Sequence, residues 1–512
     1  MGRIAVVAIA ALWVIPISIL VNRVVPEPYM DEIFHIPQAQ QYCRGDFKGW
    51  DPMITTPPGL YYLSLAYLAS LFPGIQCIKA VSSFSDLCSA AVLRSTNGVL
   101  AAICGVIIYD ILMHLRPALG ERRATVYTVV LTMFPLHWFF TFLYYTDVAS
   151  LTAVLAMYLA CLKRRYWFSA LLGGLGIFIR QTNVVWMLFV ACIGAINYIS
   201  VLDRKDDVQS DGHVTSIGET DGLFEAKRVL VASNLRKRKM ANYVNKADHS
   251  AIETVACSST HSSAGLLDEF QDILLRSWCL KWEILVSFLP FIMVLAAFVT
   301  FVFWNGSVVL GAKEAHAVSP HFAQIMYFAL VSAAAMAPAH FSLGQAAVLC
   351  RPFGKNRLLS SIQWFMALTA GLISVHFFSI AHPYLLADNR HYTFYIWRKV
   401  INAHCSVKYL LVPLYVYSWF SIFNVLGKTQ KKIWVLLFSL ACAAVLIPTP
   451  LVEFRYYTIP FYFMILHSRI DDYRSWFLIG TLYIAVNILT MMMFLFRPFH
   501  WSHEPGTQRF IW

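Results

Sequence analysis

About thirteen apolar runs of bilayer length recur along this chain, and they limit its fold more than any other feature. They lie near 4–22, 88–115, 124–143, 147–162, 166–182, 184–202, 279–304, 322–344, 358–380, 405–427, 432–448, 453–467 and 473–497. A shorter stretch, 59–73, sits between Pro57-Pro58-Gly59 and Pro73-Gly74, and it reads as a surface or re-entrant helix. The chain is 58% hydrophobic and 13% charged, an apolar excess too large for one soluble core. The expected fold is an all-α polytopic membrane protein. Arg3 and the run to Leu20 read as a retained anchor, because the run is long for a signal peptide and no small-x-small cleavage site follows it.

Charge sets the sidedness. The net charge of +12 resides in loops, without the basic patch on a foldable domain that nucleic-acid binding requires. With the N-terminus cytoplasmic, Arg122-Arg123, Lys163-Arg164-Arg165, Arg351 with Lys355, and Lys428 with Lys431 all fall inside. Counting 59–73 as a span would invert every later loop and destroy the pattern. Residues 1–202 form an N-terminal membrane module with a first lumenal loop at 23–87, and 279–512 form a C-terminal one. Between them, 203–278 reads as a flexible cytoplasmic insert, and its Arg236–Lys239 run suits anionic lipid. The 11 cysteines show no metal-binding spacing. Cys43 and Cys77 fall on the lumenal side, where oxidising conditions permit a bridge between them.

The same topology gathers chemistry on the lumenal face. Tyr29 to His35 and Trp50 to Thr56 lie in the first loop; Trp304 to His321, His382 to Lys399 and Pro448 to Tyr457 follow. Tyr144 to Asp147 and Arg180 to Asn183 end spans on that face. A carboxylate at the bilayer surface can deprotonate a hydroxyl while cations hold a phosphate leaving group. The sidedness therefore points to group transfer from a lipid phosphate. Asp31 is the candidate base, and the alternative is that Asp31 and Glu32 are a solvated pair. His35 shares a helical face with Asp31 and would orient it. Asp31-Glu32-x-x-His35 offers one histidine only, so no metal site is expected. For Arg390 and Arg455 two readings stand, phosphate binding and interfacial anchoring. Asp388 has a simpler reading as the partner of Arg390, and Lys313 and His316 are lesser candidates. Asn305-Gly306-Ser307 matches a glycosylation sequon beside a span.

Met30-Asp31-Glu32-Ile33-Phe34-His35-Ile36-Pro37-Gln38-Ala39-Gln40, followed by Trp50-Asp51-Pro52-Met53-Ile54-Thr55-Thr56, resembles the first lumenal loop of the dolichyl-phosphate-glucose-dependent α-1,2-glucosyltransferases of the endoplasmic reticulum. The resemblance continues through Phe142–Thr146, Arg180–Asn183, Trp304–Gly306, Leu386–Tyr395 and Glu453–Tyr456, and so covers nearly all but the insert. It implies a glycosyltransferase C (GT-C) fold with a lumenal active site, dolichyl phosphate glucose as donor, and a diglucosylated lipid-linked oligosaccharide as acceptor. It implies inversion at the sugar, with Asp31 as base and Glu32 and His35 shaping it. Arg390, His391, Arg455 and Lys313 would hold the donor phosphate. Trp50, Asp51, Tyr145, Asp388, Asn389 and Glu453 would line the substrate path. No cofactor or metal is required where cationic side chains stabilise the phosphate.

One departure stands out. The family pattern Gly-Asp-Lys or Gly-Asp-Arg reads Gly311-Ala312-Lys313 here, which leaves that carboxylate a supporting role and puts more weight on Asp31. Two rival classes remain at this level. A lipid or sugar transporter would show charges deep in its spans and a repeat relating its halves, and neither is evident. A non-catalytic membrane scaffold of the same fold is the other, since fold alone does not prove activity.

Overall fold

The computed structural model describes residues 1–77, 83–213, 265–316, 318–502 and 506–512. Among the described residues, seven helices are long and apolar enough to cross a membrane, and an eighth span forms if one bent pair is counted together. The protein is an all-α polytopic membrane protein. Long helices form over several of the apolar runs, α1 (Gly2–Val24), α4 (Ala90–Leu115), Lys281–Asn305, Arg357–Phe377 and Tyr473–Phe496 among them, and α1 and Lys281–Asn305 continue through Pro16 and Pro290. The expected count of thirteen differs because other runs yield short or broken helices. Pro135 divides 124–143 into Glu121–Thr132 and Pro135–Phe140. The run at 322–344 bends by 99° after Ala335, where Pro338 opens the next turn. The run at 453–467 starts as a 3-10 turn, Phe454–Tyr457, before Thr458–His467. Thr146–Leu162, Tyr166–Ile179 and Lys432–Leu446 are apolar but short.

Two compact units divide the described residues: Met1–Ala195 with Trp282–Trp512, and Ile196–Lys281. Most of the expected insert, 214–264 with its Arg236–Lys239 run, lies outside the described residues. The second unit contains the Leu266–Cys279 helix, which exposes Leu267, Leu274, Leu275 and Trp278 and carries an Asp272–Arg276 pair one turn apart.

In the first unit, outward apolar side chains such as Leu12, Phe303 and Phe365 are exposed, as lipid-facing residues are. Its interior is rich in aromatic pairs. Phe134 stacks on Phe461 with ring centroids 4.1 Å apart, and Tyr127 on Trp476 at 4.2 Å. Two short helices carry the first loop, α2 (Glu32–Cys43) and α3 (Gly59–Cys77). Leu60, Tyr61 and Leu68 of α3 are buried. Gly59 is obligatory for close packing, because a Cβ there would meet the Phe178 carbonyl carbon at 2.6 Å. Cys43 bridges to Cys88, not to Cys77. The expected span placed Cys88 inside the membrane, but α4 starts at Ala90, and Gln40 Nε2 donates to the Cys88 carbonyl at 3.0 Å. Cys88 thus lies in the loop over the end of α2.

Candidate active site

Asp31 sits immediately before α2. The residue that aims it, Met30, has φ 56°, a left-handed conformation that non-glycine residues seldom adopt and that functional sites retain. The Asp31 N–H donates to the Tyr145 hydroxyl at 3.2 Å. Tyr145 is fixed in turn by Asn97 of α4, whose Nδ2 donates to the carbonyls of Leu143 at 2.6 Å and Tyr145 at 2.8 Å. Asp31 Oδ2 accepts from Arg455 Nη1 at 2.9 Å. Its Oδ1 accepts no hydrogen bond among the described residues, and the side chain is 41% exposed. Desolvation pushes the Asp31 carboxyl upward, but Arg455 and His35 more than offset it and hold the group below the ordinary carboxylate range.

Arg455 is the hub of a charge network. Its Nε and Nη2 reach Glu453 Oε2 at 3.0 and 2.8 Å, and Nη1 lies 3.8 Å from Asp147 Oδ2. The guanidinium carbon stands 5.5 Å from the ring centroids of both Phe140 and Tyr145. Asp147 also accepts from Arg180 Nη1 at 2.9 Å, and Arg180 Nη2 donates to the Thr146 hydroxyl. Three carboxylates, Asp31, Glu453 and Asp147, thus share two guanidiniums, Arg455 and Arg180. Asp147 and Arg180 were legible only as polar ends of spans. Their meeting requires the Thr146–Leu162 helix to start beside the end of the Tyr166–Ile179 helix.

The other first-loop candidates divide. Glu32 is fully buried. Arg94 Nε and Nη2 donate to its two oxygens at 2.9 and 2.6 Å, and the N–H groups of Tyr144 and Tyr29 donate at 2.6 and 3.1 Å. Both of its oxygens are thus occupied by protein donors. His35 Nδ1 lies 2.6 Å from the Tyr61 hydroxyl. Burial holds His35 below its ordinary value, opposed by Asp31 and reinforced by Arg455 and Arg180. Trp50 packs near the same Tyr61, ring centroids 6.1 Å apart. Asp51 serves a turn: its Oδ1 accepts from the Met53 N–H at 2.8 Å.

Arg390 makes a two-pronged pair with Asp388, Nε to Oδ1 at 2.9 Å and Nη2 to Oδ2 at 2.8 Å. The neighbouring Arg390 and His391 pull Asp388 down against desolvation, and His391 Nε2 lies 3.7 Å from its Oδ2. Asn389 Oδ1 accepts from Trp501 Nε1 at 2.9 Å. Lys313 is tied to its own loop, donating to the Asn305 carbonyl at 2.7 Å and to its side-chain oxygen at 3.2 Å. That loop docks on the first: Leu310 N–H donates to the Thr55 carbonyl and Ala312 N–H to the Pro52 carbonyl. A Cβ at Gly311 would meet the Ile54 carbonyl oxygen at 2.6 Å. Ala312 has φ 44°, a left-handed conformation that non-glycine residues seldom adopt. Of the expected residues, then, Asp31, Tyr145, Glu453 and Arg455 share one cluster, while Asp388 to His391 form a second. Among the described residues no three His, Cys, Asp or Glu side chains group to hold a metal ion.

A family model described as the DIE2/ALG10 family matches residues 25–466. The chain belongs to the DIE2/ALG10 family. It is 58% identical to an Arabidopsis thaliana protein named Dol-P-Glc:Glc(2)Man(9)GlcNAc(2)-PP-Dol alpha-1,2-glucosyltransferase, over 100% of both chains. A Homo sapiens protein of the same name is 32% identical over 96% of this chain and 94% of its own. One from Emericella nidulans is 28% identical over 99% and 98%. No solved structure matches. The family match spans every cluster described above except the residues after the Thr458–His467 helix.

Proposed function

We propose that this DIE2/ALG10 family member transfers glucose from dolichyl phosphate glucose, in α-1,2 linkage, onto a diglucosylated high-mannose oligosaccharide on dolichyl diphosphate. Full-length similarity to proteins named for that reaction supports the substrates. The chemistry rests on one observation: Asp31, its side chain 41% exposed, keeps one oxygen unbonded among the described residues while Arg455 holds the other. In this reading Oδ1 removes the proton from the acceptor's 2-hydroxyl as that oxygen attacks the glucose C1. The bond from C1 to the phosphate oxygen breaks, and dolichyl phosphate leaves with the electron pair. A single displacement from a β-linked donor gives an α-linked product without a covalent intermediate.

Cationic side chains take the leaving phosphate's charge: Arg390 and His391, assisted by Arg455 and, more distantly, Lys313. Arg455 has a double part. In the resting site it keeps Asp31 ionised. Sharing its guanidinium with an arriving phosphate weakens that hold and raises the basicity of Asp31 when a base is needed. Tyr145 and Glu453 position Asp31 and Arg455, and Trp50, backed by the buried Tyr61, offers an aromatic face suited to sugar C–H surface. Asp147 and Arg180 complete the charge balance. We place the enzyme in the endoplasmic-reticulum membrane in a GT-C arrangement, with N-terminus cytoplasmic and site lumenal. The loop charges and the Cys43–Cys88 bridge in the first loop support that orientation.

The test is transfer by purified protein in detergent, given both lipid substrates and comparing wild type with Asp31→Asn. A triglucosylated product from wild type alone supports the reading. Full activity in Asp31→Asn removes the assignment of the base.

A further inference from the structure

The segment after the Tyr473–Phe496 helix folds back through the site. Phe499 and Gln508 exchange backbone hydrogen bonds at 2.9 and 2.7 Å. Ile511 then pairs alongside His391: its N–H donates to the Arg390 carbonyl at 2.9 Å, and its carbonyl accepts from the Tyr392 N–H at 3.1 Å. Side chains add to this. Gln508 Oε1 accepts from Arg390 Nη1 at 3.1 Å, and the Arg390 guanidinium lies 4.7 Å over the Trp501 ring. The Trp512 carbonyl lies 3.1 Å from His391 Nδ1.

The same segment grips the first loop. The Tyr29 hydroxyl donates to the Arg509 carbonyl at 2.6 Å and accepts from the Arg509 N–H at 2.7 Å. Burial pushes the Tyr29 phenol up to about 12, so it keeps the proton that bond needs. The Arg509 side chain anchors the strand, donating to the carbonyls of Phe494 and Leu495 at 2.9 Å each. Trp512 reaches two further loops: its ring centroid is 5.0 Å from Tyr392 and 6.2 Å from Phe454, the residue before Arg455. Tyr29, Ile511 and Phe494 share one apolar cluster, against which Met30 and Trp512 pack.

Two successive residues thus hold two loops far apart in sequence: Gln508 holds Arg390, and Arg509 holds Tyr29, two positions before Asp31. Leu386 and Ala387 are exposed and Asp388 to Arg390 are half-buried, so the placement of an arginine carrying about 2 kcal/mol of rotamer entropy rests on its partners, the Asp388 carboxylate and Gln508 among them. We propose that residues 506–512 act as a strap that sets the placement of Arg390 and His391 relative to Asp31, with Gln508 and Tyr29 as positioning residues. This rests on Arg390 as a ligand of the donor phosphate.

The test uses the full chain in detergent, with dolichyl phosphate glucose and the diglucosylated acceptor each varied while the other is saturating. Gln508→Ala and Tyr29→Phe should each raise the donor KM about fivefold, the equivalent of one net hydrogen bond. The acceptor KM and the thermal midpoint should stay at the wild-type values. The double variant should raise the donor KM by less than the product of the singles, because both act through one strand. An unchanged donor KM in both singles overturns the strap, and so does a parallel rise in both KM values with a lowered midpoint. If Gln508→Ala alone lowers the midpoint, Tyr29→Phe, which keeps the ring, decides. Arg390→Ala separates the two readings. If it raises the donor KM while the strap variants do not, only the strap falls. If it leaves the donor KM unchanged, the phosphate reading falls and the strap with it.

Discussion

Asp31 and Glu32 are adjacent carboxylates with opposite surroundings. Glu32 is fully buried and takes two donors from Arg94 and two from backbone N–H groups. Asp31 is 41% exposed, takes one bond from Arg455 and leaves an oxygen open. A buried ion pair with its valences filled resists rearrangement and can offer a substrate nothing. A carboxylate with one oxygen steered and one open is arranged to accept a proton. One residue step turns a side chain from the interior, where α4 supplies Arg94, to the cluster built by three other segments. The left-handed Met30 sits at that step.

The largest effect that can break this comparison is on turnover. Asp31→Asn keeps the shape and removes the base, so kcat should fall about 10³-fold with an unchanged thermal midpoint. A midpoint falling with activity would make Asp31 a structural residue like its neighbour. Glu32→Ala should do the reverse, because it strands the buried Arg94 charge and costs about 3 kcal/mol of stability. It should appear as loss of folded protein in size-exclusion chromatography. A well-folded but inactive Glu32→Ala would move Glu32 into the catalytic set.

Cys88→Ser sharpens the stability side. The bridge to Cys43 closes a loop across a separation of 45 residues and ties the end of α2 near α4, which carries Arg94. Its loss should cost about 2 kcal/mol in thermal unfolding and leave both KM values unchanged. The smallest expected effect is on pH. Asp31 is held below its ordinary range and is ionised above its lowered value; His35 is likewise lowered and is neutral above its own. Lowering the pH from about 8 to about 6.5 should therefore leave kcat/KM flat on the acid side, since neither group titrates there. An acid limb centred near or above an ordinary imidazole would show that one of these shifts is absent in the working enzyme.

Much of this was legible in the sequence. Apolar runs without internal breakers, such as 88–115 and 473–497, became Ala90–Leu115 and Tyr473–Phe496 with boundaries a residue or two away. Runs containing Pro135 or Pro338 did not stay single helices, since proline removes a backbone donor and forces a bend. Asp31, Tyr145, Glu453 and Arg455 were identifiable as polar residues on the face opposite the basic loops. The strap was not: 506–512 has neither an apolar period nor a recognised motif, and its meaning lies in backbone bonds to residues more than a hundred positions away.

The sequence alone determined that this chain enters a bilayer and which family it belongs to, and its loop charges gave the expected sidedness. These follow from local quantities, namely run length, loop charge and the order of residues in motifs. Tertiary structure decided what each charged residue is for. It buried Glu32 against Arg94, set Arg455 between Asp31, Glu453 and Asp147, and moved the cysteine bridge to Cys88. Ion pairs and hydrogen bonds act over a few ångströms, so only the folded chain chooses which partners come that close.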